Sequence, residues 1–239
     1  MKENNEDVSG DILSLLNKND IKFVDIKIYE QAFIHRSYIN ENPKLKMGHN
    51  ERLEFLGDSV LELIVTNFLY NKYPNHSEGD LTSYRAALVN ASSIGEVAER
   101  LDFNPYLKLS KGESKDAKSK ARMSILADTY ESMLGAIYLD LGYDACVKFV
   151  SDTLLPNTDG IVSSGLFKDA KSQVQEMSQE KYQVTPVYRV IEESGPDHNK
   201  TFVVGIYFDH KQIAKGEGSS KQLAEGDAAK NAIQKEGWY

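Results

Sequence analysis

The spacing of apolar residues changes near residue 156, and this change is the strongest constraint on the fold. Between residues 11 and 155, apolar side chains recur every three or four positions, which predicts helices that each bury one face. Beyond residue 169, one helical stretch is followed by three short runs with β-branched and aromatic residues, and then by a last helix. The sequence therefore predicts an α+β protein, in which an all-α domain precedes an α-β-β-β-α domain.

A turn-rich stretch separates the two patterns. Residues Pro156 to Gly165 are rich in Pro, Asn, Asp, Ser and Gly, which are typical of turns and loops. We therefore predict domains at residues 8–155 and 169–237, joined by a linker at residues 156–168.

Within these domains the signals for helix ends and strands place the individual elements. The longest helix is predicted to begin at Glu51, with Asn50 as its capping residue, and to end at Pro74. A Lys- and Ser-rich stretch at residues 109–123 predicts a loop before a strongly apolar helix at 124–141. In the second domain the predicted strands are residues 186–191, 201–208 and 211–216, and the last helix is 220–235.

Composition excludes several classes of protein. The chain is 41% hydrophobic and 27% charged, and it contains no apolar run of 18 residues, so we expect a soluble protein with no membrane partner. The N-terminus lacks the pattern of a signal peptide, and Cys146 is the only cysteine, which excludes an intramolecular disulfide. These features favour the cytoplasm. The net charge of −8 argues against a nucleic-acid partner unless a local feature overcomes it.

Glu51, Glu54 and Asp58 form the most unusual group of side chains in the sequence. Their spacing of i, i+3 and i+7 places three carboxylates on one face of a helix, whereas the intervening positions are mostly apolar. Like charges this close repel one another. A hard divalent cation is therefore the first candidate for a partner.

A second acidic pair, Asp128 and Glu131, lies on one face of the apolar helix predicted at 124–141. Two buried helices that direct acids to one point can form an all-oxygen site for Mg²⁺, with Mn²⁺ as an alternative. Such a site can activate water and hold a phosphate without an amino-acid nucleophile. The alternative is that these acids are ordinary exposed residues that pair with lysines.

Three motifs carry a resemblance to a known family. The segment Asn50-Glu-Arg-Leu-Glu-Phe-Leu-Gly-Asp58 resembles the signature of the ribonuclease III family, and the segments at 80–90 and 126–140 are similar to its later motifs in order and spacing. The resemblance implies an all-α ribonuclease III endonuclease domain. Gly57 within the signature predicts a close approach of two helices, because Gly in a helix otherwise carries a cost.

The resemblance also implies roles for individual residues. The family's metal-binding acids correspond to Glu54, Asp58, Asp128 and Glu131, of which Asp58 and Glu131 are the principal catalytic candidates. Glu51 and Asp80 occupy positions of supporting acids. The family forms homodimers, and Phe55 resembles the aromatic residue that packs across the dimer interface, although packing within the core is the alternative.

The second domain resembles a double-stranded RNA-binding domain through its segments 171–176, 195–198 and 216–230. Such domains recognise A-form RNA by its shape, 2′-hydroxyls and phosphates rather than by base edges. The resemblance places three candidates at the minor grooves of the duplex: Gln175, Glu176 and His198. Three more open the last helix, where free N–H groups favour a phosphate: Ser219, Ser220 and Lys221.

The charge of this second domain departs from the family pattern. Lys221 is followed by Gln222 where the family has further basic residues, and Glu217, Glu225 and Asp227 lie nearby in the sequence. From residue 169 onwards, 9 Lys and Arg face 11 Asp and Glu, a net of −2. We therefore expect weak RNA binding with a shallow salt dependence.

A basic run in the first domain offers compensating attraction, although a solvated, mobile loop is an equal alternative. Its members are Lys108, Lys111, Lys115, Lys118, Lys120 and Arg122.

These observations predict an endoribonuclease that cleaves double-stranded RNA with Mg²⁺. The family resemblance implies 5′-phosphate and 3′-hydroxyl ends, and tasks in ribosomal RNA precursor processing and in messenger RNA processing or decay. The first alternative is a catalytically weak double-stranded RNA-binding regulator. A helical phosphohydrolase of the His-Asp type is a weaker alternative, since its closely spaced His-Asp pairs are missing from the acidic segments.

Overall fold

The computed structural model describes residues 8–115, 119–164, 170–196 and 200–238. The chain divides into two compact units, with the boundary after Ser164. Among the described residues, no helix is both long enough and apolar enough to cross a bilayer.

The first unit is all-α, as predicted. Three short 3₁₀ turns at 104–106, 113–115 and 155–157 accompany its helices. The helices are α1 (Val8–Lys18), α2 (Ile26–Ala32), α3 (Arg36–Glu41), α4 (Glu51–Lys72), α5 (Glu78–Leu88), α6 (Ala91–Arg100), α7 (Lys120–Leu141), α8 (Tyr143–Thr153) and α9 (Thr158–Ser164).

Helices α4 and α7, each of 22 residues, pack against one another at the centre of this unit. Helix α7 is buried over most of its surface, including Leu126, Met133 and Leu134. A helix that is apolar on nearly all sides must lie in the core of its domain. The few acids that α7 carries are therefore held on an element with little freedom to move.

Gly57 and Gly135 allow the backbones of α4 and α7 to approach closely. A Cβ atom at Gly57 would lie 1.8 Å from the carbonyl oxygen of Glu131, and a Cβ atom at Gly135 would lie 2.2 Å from that of Leu53. No side chain fits at such distances. The close helix approach predicted from Gly57 is thus confirmed.

Asn50 precedes α4 without the side-chain hydrogen bond expected of a helix cap, so that detail of the prediction is wrong. Its amide nitrogen instead donates to the carbonyl oxygen of Ala32 at 3.3 Å. Asn50 is buried against the end of α2, with 2% of its surface exposed. Its polar side chain therefore needs a partner within the protein, and the Ala32 carbonyl oxygen is that partner. Its amide joins two helices rather than completing one.

The predicted loop at 109–123 ends earlier than expected, because α7 begins at Lys120 with Ser119 as its cap. Arg122 is therefore part of a helix and is buried. Its guanidinium donates to the side chain of Asn104 at 3.0 Å and to the carbonyl oxygen of Glu113 at 2.5 Å. The assignment of Arg122 to an exposed basic run is wrong for this reason.

The predicted linker at 156–168 also begins too early, because helix α9 occupies residues 158–164. Lys72 at the end of α4 forms an ion pair with Asp159 of α9 at 2.5 Å, so α9 contacts α4. Thr158 is buried, and its hydroxyl donates to the carbonyl oxygen of Leu155 at 2.6 Å. Turn-forming residue types concealed a short helix that tertiary contacts stabilise.

The second unit has the predicted α-β-β-β-α order. Its three strands form one antiparallel sheet in the order β1-β2-β3, with a β-bulge between Val190 and Glu192. The helices pack on the sheet around Val174, Ile206 and Trp238. The elements are α10 (Ala170–Tyr182), β1 (Val187–Ser194), β2 (Thr201–Phe208), β3 (Lys211–Gly218) and α11 (Lys221–Glu236).

We predict that Gly57→Ala destabilises the first unit by about 1–3 kcal/mol or more, because the new methyl group overpacks the contact between α4 and α7. The measurement is the free energy of unfolding in denaturant. Gly79→Ala in α5 is the matched control, because its Cβ would lie 3.8 Å from the nearest heavy atom. That control should be neutral or stabilising by up to about 1 kcal/mol. Equal unfolding midpoints for the two variants would contradict the close approach.

Candidate functional site

The crossing of α4 and α7 brings three of the predicted acids together. Glu54 on α4 and Asp128 and Glu131 on α7 each offer a carboxylate oxygen, and these oxygens all lie within 4.8 Å of one another. All three side chains are partly buried. Residues more than 70 positions apart in the sequence therefore share one point, as the two acidic motifs predicted.

The acids of this site raise one another's pKa. Burial, followed by the charges of Asp58 and Asp128, raises the pKa of Glu131 to about 8. Burial, followed by the charge of Asp128, raises the pKa of Glu54 to about 7. The pKa of Asp128 is raised by burial and then by Glu51. Burial is the largest cause of each shift, and the neighbouring carboxylates add to it.

The alternative of acids that pair with lysines fails for the three clustered residues. Within the described part of the chain, Glu54, Asp128 and Glu131 form no ion pair with Lys or Arg. Carboxylate oxygens without a cationic partner are the ligands that a hard divalent cation prefers. Ligands of an octahedral Mg²⁺ lie about 2.9 Å apart when adjacent and about 4.2 Å apart when opposite, so three oxygens within 4.8 Å of one another can converge on one such ion.

Asp58 lies one turn beyond Glu54 on α4 and is exposed. Its charge is the first among those that raise the pKa of Glu131, which places it at the same site. It is outside the set of three acids whose oxygens lie within 4.8 Å of one another. Its role as a direct ligand and catalytic acid remains a prediction.

The two acids predicted to have supporting roles differ from each other. Glu51 lies 3.6 Å from Arg36 and 3.7 Å from His49, and its charge raises the pKa of Glu54. Neither Arg36 nor His49 was predicted from the sequence as a partner of Glu51. His49 stands two positions before Glu51, which is a usable signal, whereas Arg36 reaches Glu51 only through the fold.

Asp80 has a structural role at the start of α5 that the sequence analysis did not foresee. Its carboxylate accepts hydrogen bonds from the backbone and hydroxyl of Ser77, at 3.3 and 2.8 Å, and its backbone N–H donates to the Ser77 hydroxyl at 3.1 Å. This reciprocal pair is a capping box. Asp80 is not in the cluster of three acids.

Phe55 lies between the acids on α4 with 78% of its surface exposed. Packing within the core of its own unit, the alternative considered for this residue, is therefore wrong. An aromatic side chain this exposed is available to a partner surface.

In the second unit, the predicted RNA-binding residues that the structure describes lie on α10 and at the start of α11. Gln175 and Glu176 are exposed on α10, opposite buried Val174 and Ser178. Ser220 caps α11, because its hydroxyl accepts a hydrogen bond from the N–H of Leu223 at 3.2 Å. His198 lies outside the described residues.

Ser219 and Lys221 flank the Ser220 cap. Both are exposed, and the ammonium of Lys221 stands 5.7 Å from the ring centre of Phe202. The start of α11 thus presents polar and cationic side chains to solvent.

Internal contacts use two of the three acids that made this face appear unfavourable. Glu225 pairs with Lys171 at 2.6 Å. The carboxylate of Asp227 accepts a hydrogen bond from the backbone N–H of Glu217 at 2.9 Å. The ion pair leaves the net charge of −2 unchanged, because it removes one positive and one negative charge, but Glu225 and Asp227 are engaged within the domain.

Comparisons with known proteins agree with the fold and identify the family. The profile of a family described as Ribonuclease-III-like matches residues 25–158, and that of the Double-stranded RNA binding motif matches residues 170–236. A protein named Ribonuclease 3 from Enterococcus faecalis is 45% identical over 222 residues, which cover 92% of this chain and 94% of the relative. Another Ribonuclease 3, from Streptococcus gordonii, is 42% identical over 225 residues and covers 93% and 95%.

A solved structure is also similar to the first unit. It is the nuclease domain of ribonuclease III from Campylobacter jejuni, described as flexible in a region involved in dimer formation. It matches with a TM-score of 0.55 and 34% identity, over 61% of this chain and 97% of that chain. With the family match extending over more than half of its residues, the chain belongs to the ribonuclease III family and is an endoribonuclease with a double-stranded RNA-binding motif.

Proposed function

We propose that this endoribonuclease hydrolyses the phosphodiester bonds of double-stranded RNA with Mg²⁺, and that Mn²⁺ can replace Mg²⁺. The observation that carries the proposal is the cluster of Glu54, Asp128 and Glu131, whose carboxylates lie within 4.8 Å of one another and pair with no Lys or Arg that the structure describes. The products are RNA ends with a 5′-phosphate and a 3′-hydroxyl, as the family resemblance implies.

The protein's own contribution is to hold the ligands, whose raised pKa values favour their protonated form as long as no cation is bound. Glu54 and Glu131, with pKa values raised to about 7 and 8, give up protons when a cation is loaded. Asp58 is exposed one turn beyond Glu54 on α4, and the proposal assigns it to contact with water and substrate. When bound, a divalent cation supplies positive charge to the phosphate and acidifies a water molecule.

The second unit supplies binding to the duplex. Gln175, Glu176 and the start of α11 at Ser219, Ser220 and Lys221 would contact the minor grooves and phosphates of the duplex. His198 belongs to this set by the family resemblance. Because recognition is by shape, we expect the enzyme to accept many helical RNAs.

The proposal includes a homodimer with Phe55 at the interface. An aromatic side chain with 78% exposure beside the acids supports it, as does the dimer-forming region noted for the Campylobacter jejuni nuclease domain. Two subunits would then cut opposite strands. Ribosomal RNA precursors and messenger RNAs in the cytoplasm are the proposed substrates, and a single buried cysteine fits a reducing compartment.

We predict that Glu131→Gln lowers the rate of Mg²⁺-dependent cleavage by at least about 10²-fold, because the site loses one charged ligand. Binding to duplex RNA should change little, as measured by gel shift in EDTA. Glu96→Gln, which changes an exposed acid on α6, is the control and should cleave normally. Unchanged cleavage by Glu131→Gln would remove Glu131 from the mechanism, and a wild type inactive with Mg²⁺ would favour the RNA-binding regulator.

We predict that the metal-free protein loses stability as pH rises from about 5 to 8. The pKa of Glu131 is about 8 when folded against an ordinary value of 4.5, so in this window the unfolded state binds fewer protons and the free energy of unfolding falls. Thermal melts in EDTA should show this decline, and Glu131→Gln should flatten it. Mg²⁺ should restore more stability at pH 8 than at pH 6. A metal-free melting temperature that rises through this window would contradict the raised pKa.

We predict that Lys221→Ala weakens duplex RNA binding and reduces the slope of log affinity against log salt by about 1, the value for one lost phosphate contact. The measurement is a salt titration of RNA affinity. Lys211→Ala is the control, because Lys211 is exposed at the start of β3, whereas the end of this strand leads into α11. Equal salt slopes for the two variants would exclude Lys221 from the RNA-binding face.

A further inference from the structure

We propose that Asn50 is a positioning residue for the metal site, which holds Glu54 in place against Asp128 and Glu131. This inference rests on the proposed metal-dependent function. Asn50 directly precedes α4, and its side chain is 98% buried, although it lies four residues before Glu54 and outside the acidic cluster. Three sets of hydrogen bonds carry the argument.

The first set attaches the start of α4 to the end of α2. The backbone N–H of Asn50 donates to the carbonyl oxygen of Ile34 at 2.9 Å, and its side-chain amide donates to that of Ala32 at 3.3 Å. The preceding residue is held as well, since the side chain of Gln31 donates to the carbonyl oxygen of His49 at 3.1 Å. The first turn of α4 therefore has a fixed position on α2.

The second set joins the same point to α7. The carbonyl oxygen of Asn50 accepts hydrogen bonds from the backbone N–H of Glu54 at 3.0 Å and from the hydroxyl of Ser132 at 3.3 Å. Ser132 is fully buried and directly follows Glu131. One oxygen atom thus links the backbone of a ligand on α4 to the neighbour of a ligand on α7.

The third set closes the loop, because α2 is itself attached to α7. The carboxylate of Asp140, near the end of α7, accepts hydrogen bonds from the backbone of Val24 and Asp25 at 2.7 and 3.0 Å. It also accepts one from the hydroxyl of Tyr29 at 2.9 Å. Helices α7, α2 and α4 therefore form a closed frame, in which the amides of Asn50 and Gln31 supply side-chain bonds between α2 and the start of α4.

Such a frame is needed because the ligands repel each other. Glu54, Asp128 and Glu131 must all be ionised to hold a cation, and like charges within 4.8 Å drive the helices apart. Groups that orient metal ligands without touching the metal typically change metal affinity by about 10- to 100-fold when removed. The Asn50 amide should act in this way.

The test is the affinity for Mn²⁺, which is read without catalysis from the loss of the free-ion signal in electron paramagnetic resonance. Asn50→Ala should weaken Mn²⁺ binding by about 10-fold or more and raise the Mg²⁺ concentration for half-maximal cleavage by a similar factor. Cleavage at saturating Mg²⁺ should recover most of its rate. A group with a purely structural role would lower the melting temperature without moving either metal dependence.

Asn19→Ala is the matched control. The Asn19 amide also donates to two backbone carbonyl oxygens, those of Leu15 at 3.0 Å and Leu101 at 3.2 Å. Asn19 is not part of the frame formed by α2, α4 and α7. Loss of this amide should lower the melting temperature and leave the affinity for Mn²⁺ unchanged. Ser132→Ala is the second test variant, which removes only the bond to the Asn50 carbonyl and decides the question if Asn50→Ala does not fold.

The outcomes separate this inference from the proposed function. If wild type binds Mn²⁺ and cleaves duplex RNA while folded Asn50→Ala binds Mn²⁺ equally well, the positioning role is overturned. The same holds if Asn50→Ala does not fold and Ser132→Ala binds Mn²⁺ as wild type does. If the wild type neither binds Mn²⁺ nor cleaves with Mg²⁺, the proposed function fails first, and the positioning role fails with it.

Discussion

The contact between α4 and α7 at Gly57 and Gly135 is the interaction on which the rest of the nuclease unit depends. Each glycine lies so close to a carbonyl oxygen of the facing helix that a Cβ atom would stand within 1.8 to 2.2 Å of it. This approach is what lets short side chains from two helices meet, because carboxylates extend only a few bonds from the backbone. With larger residues at the crossing, Glu54 would lie too far from Glu131 to share an ion with it.

The same contact creates a cost that the protein alone does not offset. Partial burial and mutual repulsion raise the pKa of Glu54 and Glu131 to about 7 and 8. Such a cluster is least stable when it is empty and ionised, and a bound cation would relieve the repulsion. Elsewhere, acids are neutralised by the fold itself, as for Glu225 with Lys171 and Asp159 with Lys72. The contrast identifies the site more clearly than the count of acids does.

The RNA-binding unit shows how formal charge misleads when contacts are unknown. Its sequence carries a net charge of −2, yet Asp227 accepts a backbone hydrogen bond from Glu217, and Glu225 is held by Lys171. The start of α11 remains polar, with Ser219 and Lys221 exposed. Attraction for phosphate therefore depends on which charges the fold leaves exposed.

The sequence by itself determined the order of the elements, the α+β class and the acids that meet at the crossing, because apolar spacing and motif spacing are local properties. Predictions from the sequence were wrong where a contact between distant residues determines the local structure. Asn50 bonds to α2 instead of capping α4, Arg122 is buried on α7, and residues 158–164 form a helix held by Lys72. Only the tertiary structure brought Arg36 to Glu51 and left Asp58 outside the close cluster of Glu54, Asp128 and Glu131. Distances between remote residues are set by how whole helices pack, which no local pattern contains.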